Sequence, residues 1–137
     1  MGFEIGQVVG GYAFEETLHH ARIGIMYRVF NQAANRVEIL RVLPKEVQDD
    51  KEQVDRFLRE MKVHARLAHP NIVAFYSAFE IDGQLVTTTE WVDGPRLAKK
   101  LEDGPLILFD GIVYLCQALS ALGYAHRHGV VHREIAT

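Results

Sequence analysis

One amphipathic helical stretch, set between two blocks of strand-like sequence, constrains this chain more than any other feature. In "DDKEQVDRFLREMKVHARLAH", residues 49–69, Val54, Phe57, Leu58, Met61 and Ala65 recur at spacings of three and four. One apolar stripe therefore turns inward while Lys51, Asp55, Arg59 and Lys62 face water. Asp49 or Asp50 can cap the first turn, and His69-Pro70-Asn71 ends the helix. Upstream, β-branched and aromatic runs at 12–18, 24–30 and 36–43 predict three antiparallel strands, the last stopped by Pro44. Downstream, 72–81 and 84–91 read as two more strands joined by a tight Asp82-Gly83 turn. After "VDGP" come a brief helix at 96–101 and a longer one at 109–128, whose expected inward stripe is Ile112, Leu115, Cys116, Leu119 and Leu122. Three strands, a helix, two strands and then helices predict an α+β chain, a small mixed lobe leading into a helical one.

Composition narrows the function. Hydrophobic residues are 48% and charged residues 24% of 137, enough apolar material for a packed core. A net charge of -3 gives no reason to expect nucleic acid or an anionic membrane as partner. Cys116 is the single cysteine, which excludes an internal disulfide and a cysteine-based zinc cluster; lying in an apolar run, it is expected to be buried and inert. The start "MGFEIGQVVGG" has neither a basic region nor a long apolar one. No run approaches about 18 consecutive apolar residues, so no membrane contact and a cytoplasmic setting are expected.

Three phrases then stand in order and at matching spacing: "RFLRE" with "ARLAHPNIV" downstream, "EWVDG", and "LGYAHRHGVVHR". On these the chain resembles the eukaryotic-type Ser/Thr protein kinases, most closely their bacterial members, from about Val9 onward. The resemblance implies an N-lobe of five antiparallel strands plus one helix at 9–92, after an N-terminal extension at 1–8. It also implies a hinge and partial helical C-lobe at 93–137, ending in the catalytic loop.

Kinase chemistry requires a positioned triphosphate and neutralisation of the charge developing on it, and the resemblance assigns a part to each position. The phosphate-covering loop reads G-x-G-x-x-G in the family because only glycine lets backbone amides approach phosphate freely. Here "HHARIG" places His19 and Ala21 at the first two glycines and keeps only Gly24. The strand motif V-A-I-K becomes "EILR", with Arg41 for the lysine and Ile39 for the small alanine beside the adenine. Arg41 retains charge with a wider, planar fork. Ile39 shares its strand face and is expected to crowd the base. Glu60 matches the helix glutamate that pairs with the strand cation, and an Arg41–Glu60 ion pair is expected. His64 falls in the column linking the lobes, with Phe75 and His132. Thr89 takes the gatekeeper position, and Glu90 to Val92 the hinge. The catalytic loop, H-R-D-x-K-x-x-N in the family, is here His132, Arg133, Glu134, Ile135 and Ala136. Glu134 is a carboxylate one methylene too long, and a misplacement of about 1 Å can cost about a hundredfold in rate; Ala136 removes the lysine charge.

Two alternative metal readings are weak. His19 and His20 are adjacent on a strand and point to opposite faces. His126, His128 and His132 lack a completing carboxylate or cysteine at ligand spacing. Five departures, at His19, Ala21, Arg41, Glu134 and Ala136, point to a pseudokinase-type module that regulates or associates without efficient phosphoryl transfer. No cofactor is then expected. The alternative is a fragment of an atypical active Ser/Thr kinase using ATP and magnesium. The apolar stripe of the long helix, with most of a helical lobe absent, points to a protein partner or self-association.

Overall fold

The computed structural model describes residues 2–21, 24–133 and 135–136. Its elements run β1 (Val8–Val9), β2 (Tyr12–Ala21), β3 (Gly24–Asn31), β4 (Arg36–Val42), α1 (Lys45–Gln48), α2 (Lys51–Ala65), β5 (Phe75–Ile81), β6 (Gln84–Glu90), α3 (Leu97–Leu101) and α4 (Leu108–Arg127). They divide between two compact units: residues 1–66 with 74–91, and residues 67–73 with 92–137.

In the first unit all strands form one antiparallel sheet of order β1-β2-β3-β4-β6-β5. Five strands are those expected; the sixth is the two-residue β1, which pairs Val8 with Ala13. Alternation along β3 and β4 sends Tyr27, Val29, Leu40 and Val42 to one face, where they meet Phe14, Ile81 and Val86 in a closed apolar core. Each such side chain contributes about 1.5–3 kcal/mol by leaving water. Phe3 stacks on Phe14 at 4.6 Å, and its N–H donates to the Tyr27 hydroxyl at 2.9 Å, so the N-terminal extension packs against this core. The Asp82-Gly83 turn has φ of 49° and 73° at its two central residues, the left-handed pair that suits a hairpin's twist. At the start of α2 it is Asp50, not Asp49, that accepts from the Glu52 and Gln53 N–H groups. The stripe of α2 is only partly covered, and the helix contributes no fully buried residue.

The second unit is built on α4. The loop at 67–73 packs along it: Ala68 N–H donates to the Tyr124 hydroxyl (3.1 Å), Asn71 Nδ2 to the Gln117 carbonyl (3.2 Å), and His69 Nε2 lies 3.2 Å from Ser120 Oγ. The rings of His69, Tyr124 and His128 follow one another in tilted contact, with centroids 5.2 and 4.2 Å apart. This corrects the expected orientation of α4. The side of α4 that hydrogen-bonds the 67–73 loop carries Gln117, Ser120 and Tyr124, and the stripe residues Ile112, Leu115, Cys116 and Leu119 are exposed. Gln117, Ser120 and Tyr124 each find a hydrogen-bond partner on the 67–73 loop, which turns this side of α4 toward the loop although Gln117 and Ser120 stay exposed. Cys116 is accordingly an exposed thiol rather than a buried one. Leu108–Arg127 is also long and apolar enough to cross a membrane by length and composition alone. The uninterrupted-run criterion missed this because Asp110, Gln117 and Ser120 break the run without removing its overall hydropathy.

Candidate nucleotide-facing sheet

Opposite the apolar core, the first unit presents a second sheet face. Cross-strand register fixes its members: Met26 lies opposite Arg41, Arg28 opposite Ile39, Ile39 opposite Thr89, and Arg41 opposite Thr87. Because side chains alternate, Met26, Arg28, Ile39, Arg41, Thr87 and Thr89 share this face, with Phe75 beside Thr89. His64 of α2 packs on Phe75 at 5.7 Å between ring centroids. The sheet thus brings together Ile39, Arg41 and Thr89, with His64 reaching its β5 side.

Arg41 is half-buried, and its Nε has no hydrogen-bond partner. Burial pushes its guanidinium below the ordinary arginine value. The expected ion pair with Glu60 is not formed: Glu60 is exposed on α2, and no salt bridge joins the two. On α2 the partly covered stripe carries Val54, Phe57, Leu58 and Met61, and Glu60 falls on the solvent side of it. Arg28, unnoticed in the sequence, is the second cation of this face. Its guanidinium stacks over Trp91 at 5.0 Å and approaches Glu15 at 3.2 Å. Ile39 therefore projects between Arg28 and Thr89, with Arg41 two residues along the same strand.

Gly24 has a structural assignment. Its φ is +111°, and a Cβ placed there would lie 2.0 Å from the Val42 carbonyl oxygen. Close approach of β3 to the end of β4 demands glycine at this position whether or not phosphate is present. His19 and His20 are exposed on β2 opposite Met26 and Ile25. Ala21 ends β2 opposite Gly24.

Glu90 is engaged by its neighbour, since its carboxylate accepts from Ala74 N–H and its own N–H donates to the Ala74 carbonyl, both at 2.9 Å. In the second unit Val92, His132, Arg133 and Ala136 are all exposed, and Arg133 has the left-handed φ of 72°. Glu134 lies outside the described residues.

A buried carboxylate on the core face also escaped notice. Glu38 is fully buried; Oε2 accepts from Arg36 Nε at 2.6 Å and Asn31 Nδ2 at 2.9 Å, and Oε1 has no partner. Arg36 in turn stacks over Tyr76 at 3.6 Å. The signal lay in the period-two pattern, which puts Glu38 on the face of Leu40 and Val42.

The Protein kinase domain family matches residues 12–136. This chain belongs to that family. It is 35% identical over 130 residues to the serine/threonine-protein kinase PknJ of Mycobacterium tuberculosis, covering 95% of this chain and 22% of the relative. PknI of the same organism is 32% identical over 138 residues, covering 98% of this chain and 24% of PknI. A crystal structure of the PknI kinase domain superposes with a TM-score of 0.81 at 30% identity, covering 98% of this chain and 55% of that one. The chain thus spans under a quarter of its curated relatives and about half of the solved domain. On the described face Arg41, whose buried Nε is unpaired, and Ile39 lie two residues apart on one strand.

Proposed function

We infer that this protein kinase-family chain is a pseudokinase-type module that regulates or associates with other proteins without efficient phosphoryl transfer. The observation that carries this reading is the place of Ile39 directly between Arg28 and Thr89 on the sheet face that also bears Arg41. In the family that position is small so that a base can lie flat against the strand; a branched side chain there removes the space. Three further features agree. Gly24 is accounted for by the Val42 carbonyl, Arg41 lacks its helix carboxylate, and His19 replaces a glycine that would bare the backbone. The reading is tested by titrating the chain with ATP, with and without magnesium, following heat or a melting-temperature rise.

A second reading has support of its own. Arg41 keeps a cation where the family's phosphate-binding lysine stands, Thr89 is small, and the relatives are named as Ser/Thr kinases. On this reading the chain is part of an atypical active kinase acting on proteins with ATP and magnesium. Incubation with labelled ATP and a generic protein substrate separates the two. Label transfer that Arg41→Ala abolishes favours the enzyme.

A further inference from the structure

We propose that Arg28 and Trp91 form a latch across the base-binding part of the sheet face, so that a nucleotide base lies flat there only after the guanidinium has left the indole. The proposal rests on the reading above that a base would lie against the strand at Ile39, and it adds a second barrier beside that residue. Strand order sets β4 between β3 and β6. Arg28 on β3 stands directly opposite Ile39, and Ile39 directly opposite Thr89 on β6. Trp91 lies two residues beyond Thr89. The Arg28 guanidinium carbon nonetheless sits 5.0 Å from the centre of the Trp91 ring. Neighbouring strands are about 4.8 Å apart, so side chains rooted on either side of β4 meet across the strand that carries Ile39. By the resemblance, position 39 and the hinge are the walls between which a base lies, and the stack joins those walls. A base and the Arg28 guanidinium therefore compete for one place.

The groups that hold the latch closed lie on the same face. Glu15 is the extra residue where the register of β2 shifts between Phe14 and Glu16, and such a bulge re-aims the side chain it carries. Its carboxylate comes within 3.2 Å of Arg28 Nε. That is an ion-pair distance, yet the Nε is buried and makes no aligned hydrogen bond. Arg28 is thus held by one ion pair and one cation–π contact, with no hydrogen-bond network to fix it. The two side chains keep exposures of 38% and 41%, and both kinds of contact are weak where water reaches them. The latch is closed without being locked. Its removal changes the affinity for a base by a modest factor, about three- to thirtyfold.

Trp91 is the single tryptophan, so the emission of the chain reports on the latch directly. The test compares the 137-residue chain with Arg28→Ala, Ile39→Ala and the double variant, in acrylamide quenching without ligand and in titration with ATP and magnesium. Arg28→Ala should raise the quenching of Trp91, and in the Ile39→Ala background it should tighten ATP binding three- to thirtyfold. Glu15→Gln, which leaves Arg28 in place, should act in the same direction more weakly, and it serves if Arg28→Ala does not fold. An arginine that instead served the phosphates would give the opposite sign, since its loss would weaken binding. The latch is overturned by unchanged quenching, or by a double variant that binds ATP no tighter than Ile39→Ala; in either case the reading of Ile39 stands. Absence of binding by Ile39→Ala and by the double variant overturns both. If the parent itself binds at micromolar concentration, the reading of Ile39 fails, and an Arg28→Ala variant with unchanged affinity then overturns the latch as well.

Discussion

The α-carbon of Gly24 is packed so closely against the Val42 carbonyl that a single added methyl would fall 2.0 Å from its oxygen. A glycine that a motif search assigns to phosphate is thus held in place by the pairing of two strands. Gly24→Ala should destabilise the first unit by about 2–4 kcal/mol, through the clash and through a backbone at φ +111° that alanine resists. His19→Gly should change stability by less than about 1 kcal/mol. Urea denaturation of both variants checks the contrast; equal small effects would return Gly24 to the phosphate loop.

Glu38 and Arg36 form an unequal pair, one carboxylate fully buried and one guanidinium 44% exposed. Removing the cation leaves a buried charge with Asn31 as its remaining donor, whereas replacing the carboxylate by an apolar group removes the difficulty. Arg36→Ala should therefore cost about 2–4 kcal/mol, and Glu38→Leu less. The reverse order in thermal denaturation would show that the carboxylate itself contributes net stability.

Tyr12 titrates above its ordinary 10.0 because burial disfavours the phenolate, the Glu38 charge adding to it. A group whose folded value is raised contributes stability that is complete below the unfolded value and lost as pH rises through the folded one. Stability should thus fall as pH climbs past about 10. Ultraviolet titration should show a late-ionising tyrosine step that Tyr12→Phe removes.

Asp50 behaves in the opposite sense. Hydrogen bonds from the Gln53 side chain and backbone, with that of Glu52 N–H, hold its carboxyl below the ordinary 3.8. Its cap is complete above that value and is lost as pH falls through the depressed one. Asp50→Ala should lower the thermal denaturation midpoint at neutral pH, with the difference from the parent vanishing in strong acid.

Much of this architecture was legible in the chain. Alternation located the strands, the three-and-four spacing located α2, and "HPNIV" with "HRHGVVHR" placed the whole in its family. What escaped depended on which neighbour each face meets. The stripe of α4 reads as a core stripe by pattern, yet hydrogen bonds from the 67–73 loop claim the opposite side. The Arg41–Glu60 pair follows from family spacing, but whether it forms depends on the rotation of α2, which no local pattern encodes. Glu38 was hidden because a charge among alternating apolar residues is conspicuous only once the face it occupies is known.

The most direct test of the central claim, that Ile39 fills the base-binding part of the sheet face, is calorimetric titration of ATP with magnesium into the parent chain and Ile39→Ala. The account predicts no saturable binding by the parent up to about 1 mM, corresponding to less than about 4 kcal/mol, and measurable tightening in Ile39→Ala. Micromolar, magnesium-dependent binding by the parent would contradict it.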